Sequence, residues 1–105
     1  MATHHQIVSM YLNEADRWEG RPLHVEILKF LRKSGCAGAT VLRGLAGFTA
    51  GAKALSLPSA GSRGKLPVVV QFIDVPKRVV EILPTLRKMV GKRLITVQSV
   101  EVLGP

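Results

Sequence analysis

The residues best suited to chemistry are glycines and cations gathered in one stretch, Arg43-Gly44-Leu45-Ala46-Gly47-Phe48-Thr49-Ala50-Gly51-Ala52-Lys53. Glycine lets backbone N–H groups approach phosphate oxygens closely, and a nearby Lys or Arg neutralises the charge they carry. The stretch is not a P-loop, since no Gly-Lys-Ser or Gly-Lys-Thr follows at the required spacing. Read alone, its glycines suit a strand bulge equally well. A second basic cluster, Arg87, Lys88, Lys92 and Arg93, closes the later part of the chain. Other chemistries are poorly served. His4, His5, His24 and Cys36 are not spaced to bring about four ligands onto a zinc ion, so no metal is expected. Serines are present without a Gly-x-Ser-x-Gly turn or a placed His–Asp partnership. Glu14, Asp16 and Glu19 resemble an acid/base set, but short polar turns more often use such residues as caps. No catalytic residue, and hence no enzyme, is expected.

Charge distribution points the same way. Fifteen Lys and Arg against seven Asp and Glu give a formal charge of +8 over 105 residues. No acid falls between Glu26 and Asp74, whereas Lys29, Arg32, Lys33, Arg43, Lys53, Arg63 and Lys65 all do. So asymmetric a chain attracts an anion: nucleotide, nucleic acid, acidic protein or lipid headgroup. The length fits one domain, residues 1–105, and an apolar content of 47% excludes a disordered chain. No apolar run reaches the roughly 20 residues that span a bilayer. One cysteine allows no internal disulfide, and residues 1–5 read as a flexible end without the features of a secretory signal. The expectation is a soluble, cytoplasmic chain that is not embedded in a membrane.

The elements that must position these groups follow from periodicity. Gln6 to Leu12 reads as a strand, with Val8, Met10 and Leu12 on one face and Ile7, Ser9 and Tyr11 on the other. Asn13 to Gly20 is turn-like. Pro22 suits the first position of a helix whose stripe is Leu23, Ile27, Phe30 and Leu31 and which Gly35 ends. A strand is expected from Ala39 to Phe48, a long loop from Thr49 to Lys65, and a strand from Leu66 to Asp74. Pro76 opens a second helix with Val79, Val80, Leu83, Leu86 and Val90 buried; Pro84 is expected to kink or break it. Gly91 ends it, and Ile95 to Leu103 makes the last strand.

The order β-α-β-β-α-β is the ferredoxin-like plan of the α+β class: a four-stranded antiparallel sheet with two helices on one face. In the third strand both faces are apolar, Leu66, Val68, Val70 and Phe72 on one side and Pro67, Val69 and Ile73 on the other. A face open to water alternates with polar residues, so the helix-free face implies a second copy of the chain and an oligomer. RNA-recognition modules share this topology, and a basic nucleic-acid-binding oligomer is the alternative reading. Stacking platforms need aromatics on the central strands; here only Phe72 is available, which disfavours nucleic acid.

Asn13-Glu14-Ala15-Asp16-Arg17-Trp18, Gly20-Arg21-Pro22-Leu23, Gly38-Ala39-Thr40-Val41-Leu42-Arg43-Gly44 and Gly47-Phe48 resemble the uncharacterised PII-like domain family of bacteria and archaea. Leu66-Pro67-Val68-Val69, Leu83-Pro84 and Leu94-Ile95-Thr96 continue the likeness from about Gln6 to Leu103. The resemblance implies a non-enzymatic signalling trimer that binds an adenine nucleotide (AMP, ADP or ATP) or a cyclic dinucleotide in the clefts between subunits. A regulated partner, a transporter or a metabolic enzyme, would read a mobile loop, here 49–65, through Lys53, Arg63 and Lys65. By the same resemblance Thr40 meets the base, and Gly47, Phe48 and Thr49 lie beside the nucleotide; the Gly-rich stretch read above adds Arg43, Gly51 and Lys53 at the loop mouth. The phosphate-binding turn before the fourth strand contracts to Gly91-Lys92-Arg93-Leu94, which leaves Lys92 and Arg93 to hold phosphate and makes a small anion such as bicarbonate as credible as ATP. No tightly bound cofactor is implied, and the loop's lack of tyrosine removes the uridylylation site of enteric relatives.

Overall fold

A computed structural model describes residues 2–48 and 66–104. Along the chain run β1 (Ala2–Asn13), the short strands β2 (Arg17–Trp18) and β3 (Arg21–Pro22), α1 (Leu23–Lys33), β4 (Gly38–Arg43), β5 (Pro67–Asp74), α2 (Pro76–Val90) and β6 (Ile95–Leu103). Four strands form one antiparallel sheet in the order β4-β5-β1-β6. The expected ferredoxin-like plan is therefore present, with β2 and β3 as a small added hairpin. Glu19 and Gly20 both hold positive φ at its turn, 50° and 78°, the two-residue geometry that matches the twist of a hairpin.

Strand alternation sorts the sheet into two faces. Val8, Met10 and Leu12 of β1 and Val68, Val70 and Phe72 of β5 are buried, as are Leu23, Ile27 and Leu31 of α1 and Val79, Ile82, Leu86, Met89 and Val90 of α2. Both helices thus cover one face. On the other, Ile7, Tyr11, Pro67, Val69, Gln71 and Ile73 are half-buried. At its centre Gln71 Nε2 donates to Ser9 Oγ at 3.1 Å, so the one polar break in the strand pattern is paired across the ladder.

Several expectations need correction. Residues 2–5, read from the sequence as part of a flexible end, are placed in β1 and pair with β6, Ala2 opposite Leu103 and His5 opposite Val100. Pro22 lies in β3, and α1 starts one residue later, with Pro22 as its N-cap. Gly35 does lie just past the end of α1, at φ 74°. The second strand stops at Arg43 rather than Phe48. Gly44 leaves the ladder with its N–H bonded to the Pro67 carbonyl at 2.7 Å, and an added Cβ there would stand 2.8 Å from the Pro67 ring. Close backbone approach, not strand pairing, is what that glycine serves.

In α2 the stripe is rotated: Val80 is 70% exposed, and Ile82 and Met89 are inside instead. Pro84 does not break the helix, which runs continuously from Pro76 to Val90. Proline at 84 removes the bond to the carbonyl of Val80. Both residues are exposed, so water satisfies that carbonyl.

Phe72 is 1% exposed at the centre of the core. Phe72→Ala should destabilise the chain by about 3–5 kcal/mol, the usual cost of a buried aromatic cavity. Urea unfolding followed by far-UV circular dichroism checks this, and a loss below about 1 kcal/mol would contradict the burial.

Candidate anion-binding site

The antiparallel order places the C-terminal end of β4 and the N-terminal end of β6 at the same end of the sheet. Arg43 pairs with Val68, Asn13 with Pro67, and Met10 with Ile95. The two basic groups singled out in the sequence, Arg43 and the pair Lys92 and Arg93, therefore share one end. They stand on opposite edges, three strand spacings apart, or roughly 14 Å at about 4.8 Å per spacing.

Between them lies the turn that follows β1, which sequence reasoning gave only as caps or an acid/base pair. Glu14 Oε1 accepts from Arg43 Nη2 at 3.0 Å and from the backbone N–H of Leu66 at 3.0 Å. Two residues on, Asp16 Oδ2 accepts from Arg93 Nε at 2.9 Å and from the backbone N–H of Asn13 at 2.8 Å. Asn13 Oδ1 accepts from Ala15 N at 2.9 Å, which closes the turn on itself. Arg93 also donates to the Val90 carbonyl at 3.0 Å, and Arg87 holds the carbonyls of Gly91 and Arg93 at 2.8 and 2.9 Å. The turn 91–94 is thus fixed by arginines of its own and of α2. Lys92 is exposed and pairs with no acid among the described residues.

The Leu66 N–H and the Arg43 guanidinium together hold the Glu14 carboxyl below its ordinary range, the backbone hydrogen bond being the larger cause; His24 adds a weaker pull the same way. Both main causes favour the ionised form. The Glu14 side chain is only 15% exposed, whereas that of Arg43 is 60% exposed and open to solvent.

Arg43, opposite the buried Val68, lies on the helix side of the sheet, whereas Thr40, three residues before it and opposite Gln71, lies on the helix-free face. Thr40 borders a concavity of about 250 Å³ with Ile7, Gly38, Gln71 and Ile73. Gly47 returns toward the sheet beside Pro67, and Phe48 is 75% exposed. Thr40, Arg43, Gly47 and Phe48 therefore follow one another along the β4 edge, and Lys92 and Arg93 belong to the other. Thr49, Gly51, Lys53, Arg63 and Lys65 lie outside the described residues. A second concavity, about 390 Å³, lies between α1 and β4 and is lined by Val25, Leu28, Lys29, Arg32, Cys36 and Ala39. Burial pushes the Cys36 thiol up, and Asp74 adds to it; both disfavour the thiolate.

No group of three or more potential metal ligands exists among the described residues, and no helix there is long and apolar enough to cross a membrane.

The class of protein is set by the fold. A nitrogen regulatory PII-like protein of Thiomonas intermedia K12, solved with ADP, AMP and bicarbonate, superposes with a TM-score of 0.70 over 100% of this chain and 99% of that one, at 15% identity. A candidate PII-like signalling protein of Thermus thermophilus gives 0.67 over 97% and 92%, at 14% identity. At these identities the likeness is one of fold, and that fold is PII-like. The family follows from sequence: over residues 5–102 the chain belongs to DUF190, a family described as an uncharacterised ancient conserved region. It is 30% identical to a UPF0166 protein of Aquifex aeolicus over 93% of this chain and 92% of the relative. A UPF0166 protein of Methanocaldococcus jannaschii is 29% identical over 81% and 78%.

Glu14 gives the site a pH signature. Folding favours its carboxylate, so the stability it contributes is present above the unfolded-state pKa and is lost as the pH falls through the lower folded-state value. The parent chain should exceed Glu14→Gln in stability at pH 7, and the gap should close on acidification. Urea titrations at descending pH measure it; a gap that widens in acid would contradict the assignment.

Proposed function

We propose that this chain is a non-enzymatic PII-like regulatory protein that binds an adenine nucleotide between copies of itself. The observation that carries the reading is the placement of Arg43 and of Lys92 with Arg93 at one end of the sheet but on opposite edges. Their strands stand roughly 14 Å apart by spacing, and Arg43 and Arg93 each turn to a carboxylate of their own, Glu14 and Asp16, so within one chain these cations are not gathered on one phosphate. They converge when the β4 edge of one copy meets the β6 edge of the next, as in the trimer that the PII resemblance implies. The half-buried apolar face, with Val69 and Ile73 at its centre, gives such copies a surface to share. Nucleotide as the ligand rests on the solved PII-like neighbour that holds ADP and AMP.

In this reading Thr40 and the backbone near Gly47 and Phe48 face the base and sugar, and Arg43, Lys92 and Arg93 face the phosphates. Ligand contacts select one arrangement of the segment 49–65, and a partner protein, a transporter or a metabolic enzyme, reads it. A nucleic-acid role is weakened by the burial of Phe72, which takes away the one aromatic expected to stack with bases.

Two measurements test this. ADP should raise the melting temperature in a concentration-dependent way, and Lys92→Ala with Arg93→Ala should weaken ADP binding about tenfold or more, since hydrogen bonds to charged groups are worth roughly 1.5–3 kcal/mol each. An unshifted melting temperature across AMP, ADP, ATP and cyclic dinucleotides would overturn the reading. Separately, Val69→Glu should give monomer or aggregate in sedimentation, and an intact trimer would show that this face is not shared.

A further inference from the structure

We infer that Glu14 determines which anions the Arg43 site admits: its carboxylate is a resident anion that selects a terminal phosphate and rejects monoanions such as bicarbonate or acetate. The inference rests on the nucleotide reading above and adds to it the part of the ligand that does the selecting.

The geometry is that of an occupied site. Arg43 reaches Glu14 Oε1 through one nitrogen, Nη2, at 3.0 Å. A monoanion arriving from solution would exchange one single negative charge for another. It would gain no charge and would lose its own translational freedom. The internal carboxylate also acts at the high effective concentration of a group on the same chain. Bicarbonate and acetate therefore lose the exchange. A terminal phosphate differs in its charge: it brings to the guanidinium a second negative charge that neither Glu14 nor a monoanion carries.

The exchange leaves the fold intact. Glu14 Oε1 keeps its other donor, the Leu66 N–H at 3.0 Å, so the displaced carboxylate stays hydrogen-bonded. The exposure of the two side chains, 60% for Arg43 and 15% for Glu14, lets the ligand reach the cation while the carboxylate stays anchored. The same turn repeats the arrangement at the other edge, where Asp16 Oδ2 holds Arg93 Nε and the Asn13 N–H. Both arginines picked out by the sequence thus carry a resident carboxylate.

Calorimetric titrations of the full chain and of Glu14→Gln with ADP, and of each with sodium bicarbonate at constant ionic strength, test the inference. Glutamine keeps the size of the side chain and an oxygen for the Leu66 N–H, and removes the charge. ADP should bind the variant about fivefold tighter, the upper range for an exposed ion pair. Bicarbonate should compete with ADP on the variant and not on the parent. ADP binding to both forms with equal affinity, or bicarbonate competing equally on both, would overturn the selection by Glu14 while leaving nucleotide binding in place. Absence of ADP binding to either form would overturn the nucleotide reading itself, and the inference with it. Should the glutamine variant fail to fold, Glu14→Asp serves instead. It keeps the charge and draws it back from Arg43, so ADP should bind it more tightly than the parent; unchanged ADP affinity would overturn the inference.

Discussion

Two carboxylates in one turn hold the cationic end of this molecule together. Glu14 and Asp16 each accept one arginine and one backbone N–H. They join the end of β1 to the end of β4, the start of β5 and the approach to β6. Each ion pair is partly exposed and modest by itself. Their weight comes from position, because the turn stands where four strand ends meet and its side chains add to the last backbone bonds there, such as that of the Glu14 N–H to the Leu66 carbonyl at 2.9 Å. The +8 charge of the chain would otherwise crowd cations at that end, and the turn brings two of its seven acids there.

Packing supports this arrangement from below. β1 and β5 are the two central strands, and their inward residues meet α1 and α2 in one core. Arg78 of α2 ties the helices, donating to the Ser34 carbonyl at the end of α1 while lying 3.6 Å from Asp74. Asp74 also accepts the N–H of its own neighbour Val75, the residue before α2, at 2.8 Å. At the start of α2 Asp74 thus meets near neighbours in sequence, whereas the cationic end of the sheet is closed by distant ones.

That difference explains how much is legible in the sequence. Periodicity and punctuation carry the order of elements: Val8, Met10 and Leu12 alternate, Pro76 opens α2, and Gly35 follows α1. Local signals fail where tertiary packing decides. Val80 continues an apolar pattern yet faces water, since Ile82 and Met89 fit better against the sheet. Gly44 reads in the sequence as a bulge or a close backbone approach, and it is the latter, but its partner Pro67 lies far downstream and no local signal names it. The acid partners are hidden for a stronger reason. Glu14 meets Arg43 across 29 residues and Leu66 across 52, and Asp16 meets Arg93 across 77. No spacing rule spans such separations. The block Asn13 to Trp18 stands out only through the family likeness, which marks a segment without saying what its carboxylates touch.

The pairing of Ala2 with Leu103 puts the first and last strands' outer ends side by side, at the pole away from Arg43 and Arg93. A fluorescent reporter attached on β1 near Thr3 or on β6 near Val102 would stand at that far pole, clear of the cationic end.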